Sequence, residues 1–330
     1  MKKIGWIEVS RKRYGGVLYN EEARKALSEK FEVQVVSCEP RILAGFRRVK
    51  FFEVFLRLFR LEGEMDVWVR DHFSLLTLSL DRTRGKNIVL IHHFDFSALP
   101  FPGNLVFSFL KKLVLYRNLR KADVVVTVSQ YWQKHFSERG CRNVHLIYNG
   151  FDLRDFEISE EEVKEFKKRF DLEGNPIVYL GNCQKAKGVV GAYTELKGMD
   201  VHLVTSGVPQ LRLKGTRNLD LEHRDYLKLL KASSLVVAMS KFEEGWSRTV
   251  HEAMLVETPV IGSGKGGMRE LLLGGEQMVC SDIQKLRNMA ESVLRDPILQ
   301  DTMGKRGYAF ASKFTLERFS SSWIQLIDSL

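Results

Sequence analysis

The residues with the most chemical capacity fall in one stretch, residues 240–272, SKFEEGWSRTVHEAMLVETPVIGSGKGGMRELL. A loop bearing Glu243 and Glu244 leads into a helix that carries Glu252 on its second turn. A short apolar strand over 259–262 follows, and then a glycine turn (Gly264, Gly266, Gly267) that opens another helix. At a helical rise of ~1.5 Å per residue, Glu244 and Glu252 lie at most ~12 Å apart. Around Gly245, Trp246, Ser247 and Arg248 the helix begins, with N–H groups that have no partner inside it. Those groups and the helix dipole form a seat for an anion. A carboxylate on each side of such a seat suits a ligand with phosphate in its middle and hydroxyls at both ends. That is the layout of a sugar nucleotide. Taken singly, either carboxylate could equally be a solvated helix or loop residue.

As a whole string, the segment resembles the donor-site signature of family 4 of the retaining glycosyltransferases. That signature runs E-G-F-G-x-x-x-x-E-A, then a P-V-I strand, then G-G-x-x-E. Here it becomes Glu244-Gly245-Trp246-Ser247, Glu252-Ala253, Pro259-Val260-Ile261 and Gly266-Gly267-Met268-Arg269-Glu270. The resemblance implies an α/β protein of the GT-B fold. Two Rossmann-like parallel-sheet domains would face a cleft, and a C-terminal helix would pack back on domain one. It also implies that Glu252 holds the ribose hydroxyls. The amides after Glu244 would hold sugar and phosphate, with Glu244 beside the transferred sugar. Retention in this family needs no protein nucleophile, and Glu244 is not assigned that role.

Four further segments fit the same pattern. Arg11-Lys12-Arg13-Tyr14-Gly15-Gly16 follows the first strand. Its glycines let backbone approach a phosphate beside three cations, and in the family this loop faces the donor diphosphate and the acceptor. Ile91-His92-His93-Phe94-Asp95 ends the fourth strand, where the resemblance puts one histidine near the transferred sugar or the acceptor. His92 is the expected one. His93 is the alternative, since a one-residue slip changes the face, and His72 lines the same region. The strand over 123–128 and the segment ending in Tyr148-Asn149-Gly150 lead into the hinge, with Ser129 as a helix cap. Finally, Gly181-Asn182-Cys183-Gln184-Lys185-Ala186-Lys187-Gly188 stands where the family has G-R-x-x-x-x-K-G. Lys187 fits the phosphate-binding lysine. Asn182 replaces the arginine and cannot make a bidentate charged contact to phosphate. Lys185, residues 11–13 or Arg248 are the candidates to supply the missing charge. Residues 220–225 would supply backbone contacts to the base.

Strand–helix alternation is expected to position these residues. Short apolar, partly β-branched runs predict strands over 3–9, 32–37, 66–70, 87–92, 123–128 and 143–147, with helices over 18–30 and 129–139 among those between them. Such alternation implies a parallel sheet covered on both faces, whose ligands bind outside the carboxyl ends of the strands. The Asn149-Gly150 turn breaks the pattern, and Ser159-Glu160-Glu161-Glu162 reads as a helix capping box. Alternation restarts at Ile177. The expected division is therefore 1–150, a hinge and linker helix over 151–170, a nucleotide-sugar domain over 171–312, and a returning helix over 313–330. In that last helix Phe319, Trp323, Leu326 and Leu330 recur at helical spacing.

At 330 residues the chain is comfortable for two domains, and its hydrophobic content of 44% is that of a globular protein. Net charge is +10. Residues 1–150 carry 26 Lys and Arg against 15 Asp and Glu, whereas residues 151–330 carry 25 against 26. The excess belongs to the first half, which is expected to meet something anionic. Residues 41–61 and 105–121 mix aromatic and basic side chains, too charged to span a membrane but suited to an anionic membrane surface. The four cysteines are scattered without metal spacing, and Met1-Lys2-Lys3 runs straight into a strand. Reduced thiols in the cytoplasm, on or near the inner membrane face, are the expectation.

The reading is a hexosyltransferase acting from a nucleotide-sugar donor on a glycan or lipid-linked acceptor, with no cofactor and no divalent metal. Nothing in the chain resembles an Asp-x-Asp metal site. The alternatives are a nucleotide-sugar epimerase or hydrolase of the same fold, or a non-enzymatic binder of anionic polymers. No nucleic-acid motif is present, so nucleic acid is not an expected partner.

Overall fold

The computed structural model describes residues 1–9, 15–42, 50–94, 109 and 111–330. The cluster of residues 11–13, Phe46, Arg47, Arg48 and Asp95 lies outside these residues. The chain divides into two compact units, Met1–Gly150 with Leu316–Leu330, and Phe151–Thr315. Among the described residues each unit holds one six-stranded sheet whose pairings are all parallel.

In the first unit the strands are β1 (Lys3–Glu8), β2 (Glu32–Ser37), β3 (Glu62–Arg70), β4 (Arg82–Ile91), β5 (Val124–Thr127) and β6 (Val144–Leu146). All six expected strands are present. β3 and β4 extend further toward their N-termini than the apolar pattern suggested. Those extensions, Glu62 to Met65 and Arg82 to Lys86, are mostly polar, mostly exposed and offset by a bulge between Glu64 and Val67. The order is β2-β1-β3-β4-β5-β6, so the direction of winding reverses between β1 and β3. Open α/β sheets bind ligands at such a reversal, beyond the carboxyl ends of the strands.

The helix Gly15–Ser28 and the last helix, Leu316–Asp328, pack together in this unit. Phe319, Trp323 and Leu326 are buried as their spacing requires. Leu330 lies beyond the helix, and Ile327 fills the fourth buried position instead. Trp323 meets Trp6 of β1 with ring centroids 5.9 Å apart, and Phe319 stands edge-on to Tyr19 at 4.9 Å. A Cβ on Gly150 would lie 2.5 Å from the Cβ of Phe319, so the returning helix needs a glycine there.

The second unit has β7 (Ile177–Asn182), β8 (His202–Ser206), β9 (Thr216–Leu219), β10 (Leu235–Ala238), β11 (Val260–Gly262) and β12 (Met278–Val279). Its order, β12-β11-β10-β7-β8-β9, is the doubly wound arrangement of dinucleotide-binding sheets. Ile177 to Leu180, Leu235 to Val237, and Val260 with Ile261 are buried, as strands covered on both faces must be. The reversal falls between β7 and β10. The linker helix Glu160–Arg169 is capped at both charges: Ser159 and Glu162 form the reciprocal capping box, and Lys167, Lys168 and Arg169 occupy its last turn.

Candidate functional site

The loops after β7 and β10 meet at the reversal of the second sheet. Gly188 makes their approach possible. It has φ +73°, and a Cβ there would sit 1.7 Å from the carbonyl oxygen of Met239. The Lys241 N–H donates to the Ala186 carbonyl at 2.9 Å and ties the two loops together. Across this junction the Lys187 ammonium donates to Glu244 Oε1 at 2.7 Å. Ser240 Oγ donates to the same oxygen. Glu244 is buried while Lys187 is partly open to solvent. The pair holds a flexible ammonium at the mouth of the switch point, reducing the entropy lost when an anion arrives.

Glycines also fix the far side of the loop. Gly266, at φ +62°, pairs with Glu244 in an isolated parallel bridge, and the Gly267 N–H donates to the Glu244 carbonyl at 2.9 Å. A Cβ on Gly266 would come within 2.3 Å of that carbonyl oxygen. Glu270 stands in the first turn of the helix Met268–Gly274 that this turn opens.

Next comes the helix Arg248–Leu255. Ser247 precedes it in the left-handed region, φ 77° and ψ 76°, a strained setting for a residue with a side chain. Gly245 and Trp246 are buried. Trp246 turns inward: its Nε1–H donates to His251 Nδ1 at 3.0 Å, and His251 meets the Ala311 carbonyl through Nε2 at 3.1 Å. Any part Trp246 takes in ligand binding therefore falls to its backbone. His251 lies under Phe151 with ring centroids 4.1 Å apart, and burial pushes its pKa down to about 3. It is a neutral core residue.

Glu252 is buried and accepts from Arg248 Nε at 3.2 Å. The Arg248 guanidinium also lies over the Phe151 ring, 4.6 Å from its centroid. Tyr226, whose hydroxyl reaches Thr249 Oγ1 at 3.3 Å, borders the carboxylate too. Burial, and then the charge of Glu252, push the Tyr226 hydroxyl well above its ordinary range.

Asn182 ends β7 and is exposed. Its Oδ1 accepts from Ser206 Oγ at 2.9 Å, and Ser206 Oγ lies 2.6 Å from the Tyr179 hydroxyl. The relay fixes the carboxamide and leaves its N–H groups as neutral donors where the family pattern has an arginine. Lys185 is exposed in the same loop, in the short helix Lys185–Lys187.

The first unit gathers the other candidates. A cavity of about 120 Å³ at its reversal point is lined by residues that include Gly16, Asn20, Asp71, His72, His92 and His93. Gly15 begins the adjoining helix. His92 Nε2 lies 3.3 Å from Asn20 Oδ1, and Tyr19 stands edge-on to its ring at 4.9 Å. Burial, then the neighbouring His93 and His72, push its pKa down to about 3. A neutral ring donating through Nε2 keeps a lone pair on Nδ1. Arg70, in the same lining, is consumed by structure: it forms a buried fork to Asp81 at 2.8 and 3.1 Å and donates to Asn87 and Thr83.

Sequence reasoning missed Ser240, Tyr179, Ser206, Tyr226, Phe151, Asn20 and Tyr19. Only Asn20 and Tyr19 carried a signal, through their place in the helix after the glycine pair. Among the described residues no group of three or more His, Cys, Asp or Glu side chains is arranged to hold a metal ion.

Comparison with known proteins agrees with this architecture. The sequence model Glycosyltransferase Family 4 matches residues 14–155, and Glycosyl transferases group 1 matches residues 160–310. The chain is 25% identical over 263 residues to the N-acetyl-alpha-D-glucosaminyl L-malate synthase of Bacillus anthracis, a match covering 73% of this chain and 66% of that protein. It is 24% identical over 230 residues to a putative teichuronic acid biosynthesis glycosyltransferase of Bacillus subtilis, covering 63% of this chain and 54% of that one. Among solved structures, HepE of Anabaena in complex with UDP-glucose superposes with a TM-score of 0.79 at 19% identity, over the whole of both chains. Sucrose-phosphate synthase from Thermosynechococcus elongatus gives 0.83 at 17%, over 100% of this chain and 99% of that one. At these identities the structures speak to fold, and the sequence models to family. The chain belongs to family 4 of the glycosyltransferases and has the GT-B fold.

Proposed function

We propose that this protein transfers a hexose from a nucleotide-sugar donor to a glycan or lipid-linked acceptor, with retention of configuration and without a divalent metal. The observation that carries this reading is the Lys187–Glu244 pair, held beside the start of the helix Arg248–Leu255 at the reversal of the second sheet. An ammonium, a helix N-terminus and a buried carboxylate converge there. HepE, similar in fold, was crystallised with UDP-glucose.

In this reading the donor diphosphate takes over the Lys187 ammonium from Glu244, or shares it. Glu244, released in part, accepts from hydroxyls of the transferred sugar. The amides from Gly245 to Arg248 and the N–H groups of Asn182 complete the phosphate seat. As the sugar–phosphate bond breaks, negative charge grows on the leaving phosphate, and these fixed donors stabilise it without rearrangement. Glu252 accepts from the ribose hydroxyls. The pocket of the first unit, with His92 at its wall, receives the acceptor, and the Nδ1 lone pair of the neutral ring accepts a hydrogen bond from an acceptor hydroxyl.

The acceptor would be met at an anionic membrane face. Phe52, Phe55 and Phe59, on the helix Lys50–Phe59, are 63%, 38% and 46% exposed, and Phe109 and Leu113 are exposed beyond them. Aromatic rings on a basic half of the chain suit the headgroup region. Among the described residues no helix is long and apolar enough to cross a membrane.

The test is turnover of UDP-, GDP-, ADP- and CMP-sugars with and without added glycan and lipid acceptors. Transferase activity requires an acceptor for most of the turnover. Equal acceptor-free turnover, or isomerisation of the sugar, would favour an epimerase or hydrolase of the same fold.

A further inference from the structure

Arg248 opens the helix Arg248–Leu255 within the segment 240–272, and its surroundings show a specific employment. Its Nε donates to Glu252 Oε1 at 3.2 Å, one helical turn along the same face. Its guanidinium rests on the face of Phe151, 4.6 Å from the ring centroid. Phe151 is in turn fixed against His251, and its N–H donates to the Phe314 carbonyl at 3.0 Å. The arginine is thus held from two sides, and the carboxylate it holds is buried beside Tyr226. A buried carboxylate with one charged partner has that partner to thank for its orientation as well as its charge.

We infer that Arg248 is a positioning residue for Glu252, fixing one carboxylate oxygen so that the other is presented to the ribose hydroxyls of the donor. Arg248 thereby sets the discrimination between ribose and deoxyribose rather than adding a cation to the phosphate seat. The inference rests on the donor-site reading above and gives it a residue-level test. A charged hydrogen bond to a ribose hydroxyl favours the ribonucleotide by about tenfold or more. If Arg248 acts through Glu252, losing it erodes that ratio. Losing a phosphate contact would instead weaken ribose and deoxyribose forms alike.

The experiment is calorimetric titration of the wild-type chain with UDP, GDP and ADP, followed by the 2′-deoxy and 3′-deoxy forms of the tightest binder. The same titrations are made on R248M, R248K, E252Q and the double variant R248M/E252Q. Expected are a ribo-to-deoxy preference that falls by at least about threefold in R248M and is partly restored in R248K. Binding of the deoxy forms stays within about twofold of wild type, and R248M adds nothing to E252Q. An unchanged ratio in R248M, or equal loss for ribose and deoxyribose forms, overturns the role of Arg248 while leaving the donor site standing. Failure of every nucleoside diphosphate to bind the wild type overturns the donor reading and this inference with it.

Discussion

At the residue scale the candidate site is a set of paired charges around the start of the helix Arg248–Leu255. Lys187 meets Glu244 across 57 residues of sequence, and Arg248 meets Glu252 within one turn. The second pairing was legible in principle, since residues four apart on a helix face one another. The first was not, because it depends on how two loops are brought together by a sheet reversal. Asn182 likewise gained its meaning only from Ser206, which fixes its amide from the neighbouring strand β8 and is itself held by Tyr179 of β7. Two neutral histidines make a separate, pH-dependent contribution. His92 and His251 are each pushed down to about 3 by burial, against an ordinary value near 6.5. Below about pH 6.5 the unfolded chain binds protons at these positions while the folded chain does not. Their stabilisation is therefore complete above that pH and is lost as pH falls toward 3. Thermal unfolding between about pH 7.5 and 5, above most carboxylate titration, should show falling stability, with a shallower slope in H251F. A flat or rising profile in the wild type would contradict the assignment.

At the element scale the loops of the candidate site depend on close backbone approach more than on side-chain packing. Gly188 and Gly266 each stand in the left-handed region against another carbonyl oxygen. Ser247 adopts the same region with a side chain, immediately before the helix Arg248–Leu255. Strained backbone of this kind persists where the surroundings over-determine it. An alanine at Gly188 would have to push the Met239 strand end away from the Lys187 loop. G188A should cost about 2 kcal/mol or more in unfolding free energy and separate Lys187 from Glu244. Chemical denaturation together with donor affinity reads both effects; a stable variant with unaltered affinity would show that the close approach is dispensable. The strands themselves were readable from their short β-branched runs. The polar extensions of β3 and β4 were not, because charged, mostly exposed segments carry no apolar signal even when they pair.

At the scale of the whole molecule, charge and apolar exposure both favour the first half. Its positive balance and the exposed phenylalanines of the helix Lys50–Phe59 lie in the same unit as the His92 pocket. Flotation with vesicles should show binding that rises with anionic lipid and falls with salt, since surface attraction is screened over about 10 Å at 0.1 M. F52S/F55S should weaken it at every lipid composition. Binding indifferent to lipid charge would remove the membrane from the account. Alternation of strands and helices made two parallel-sheet units legible in the sequence, and the apolar spacing of the last helix announced its burial. Strand order was hidden, because it follows from pairings between distant segments, and strand order is what brings the residues of the candidate site together.

The central claim is that the carboxylate of Glu252 and the seat beside it bind a nucleotide sugar. Isothermal titration of UDP-, GDP-, ADP- and CMP-sugars into the wild-type chain and E252A tests it most directly. The account predicts that at least one of these donors binds the wild type and that the variant binds it about tenfold or more weakly, the worth of a charged hydrogen bond. Equal affinity in both proteins, or no binding to either, would contradict it.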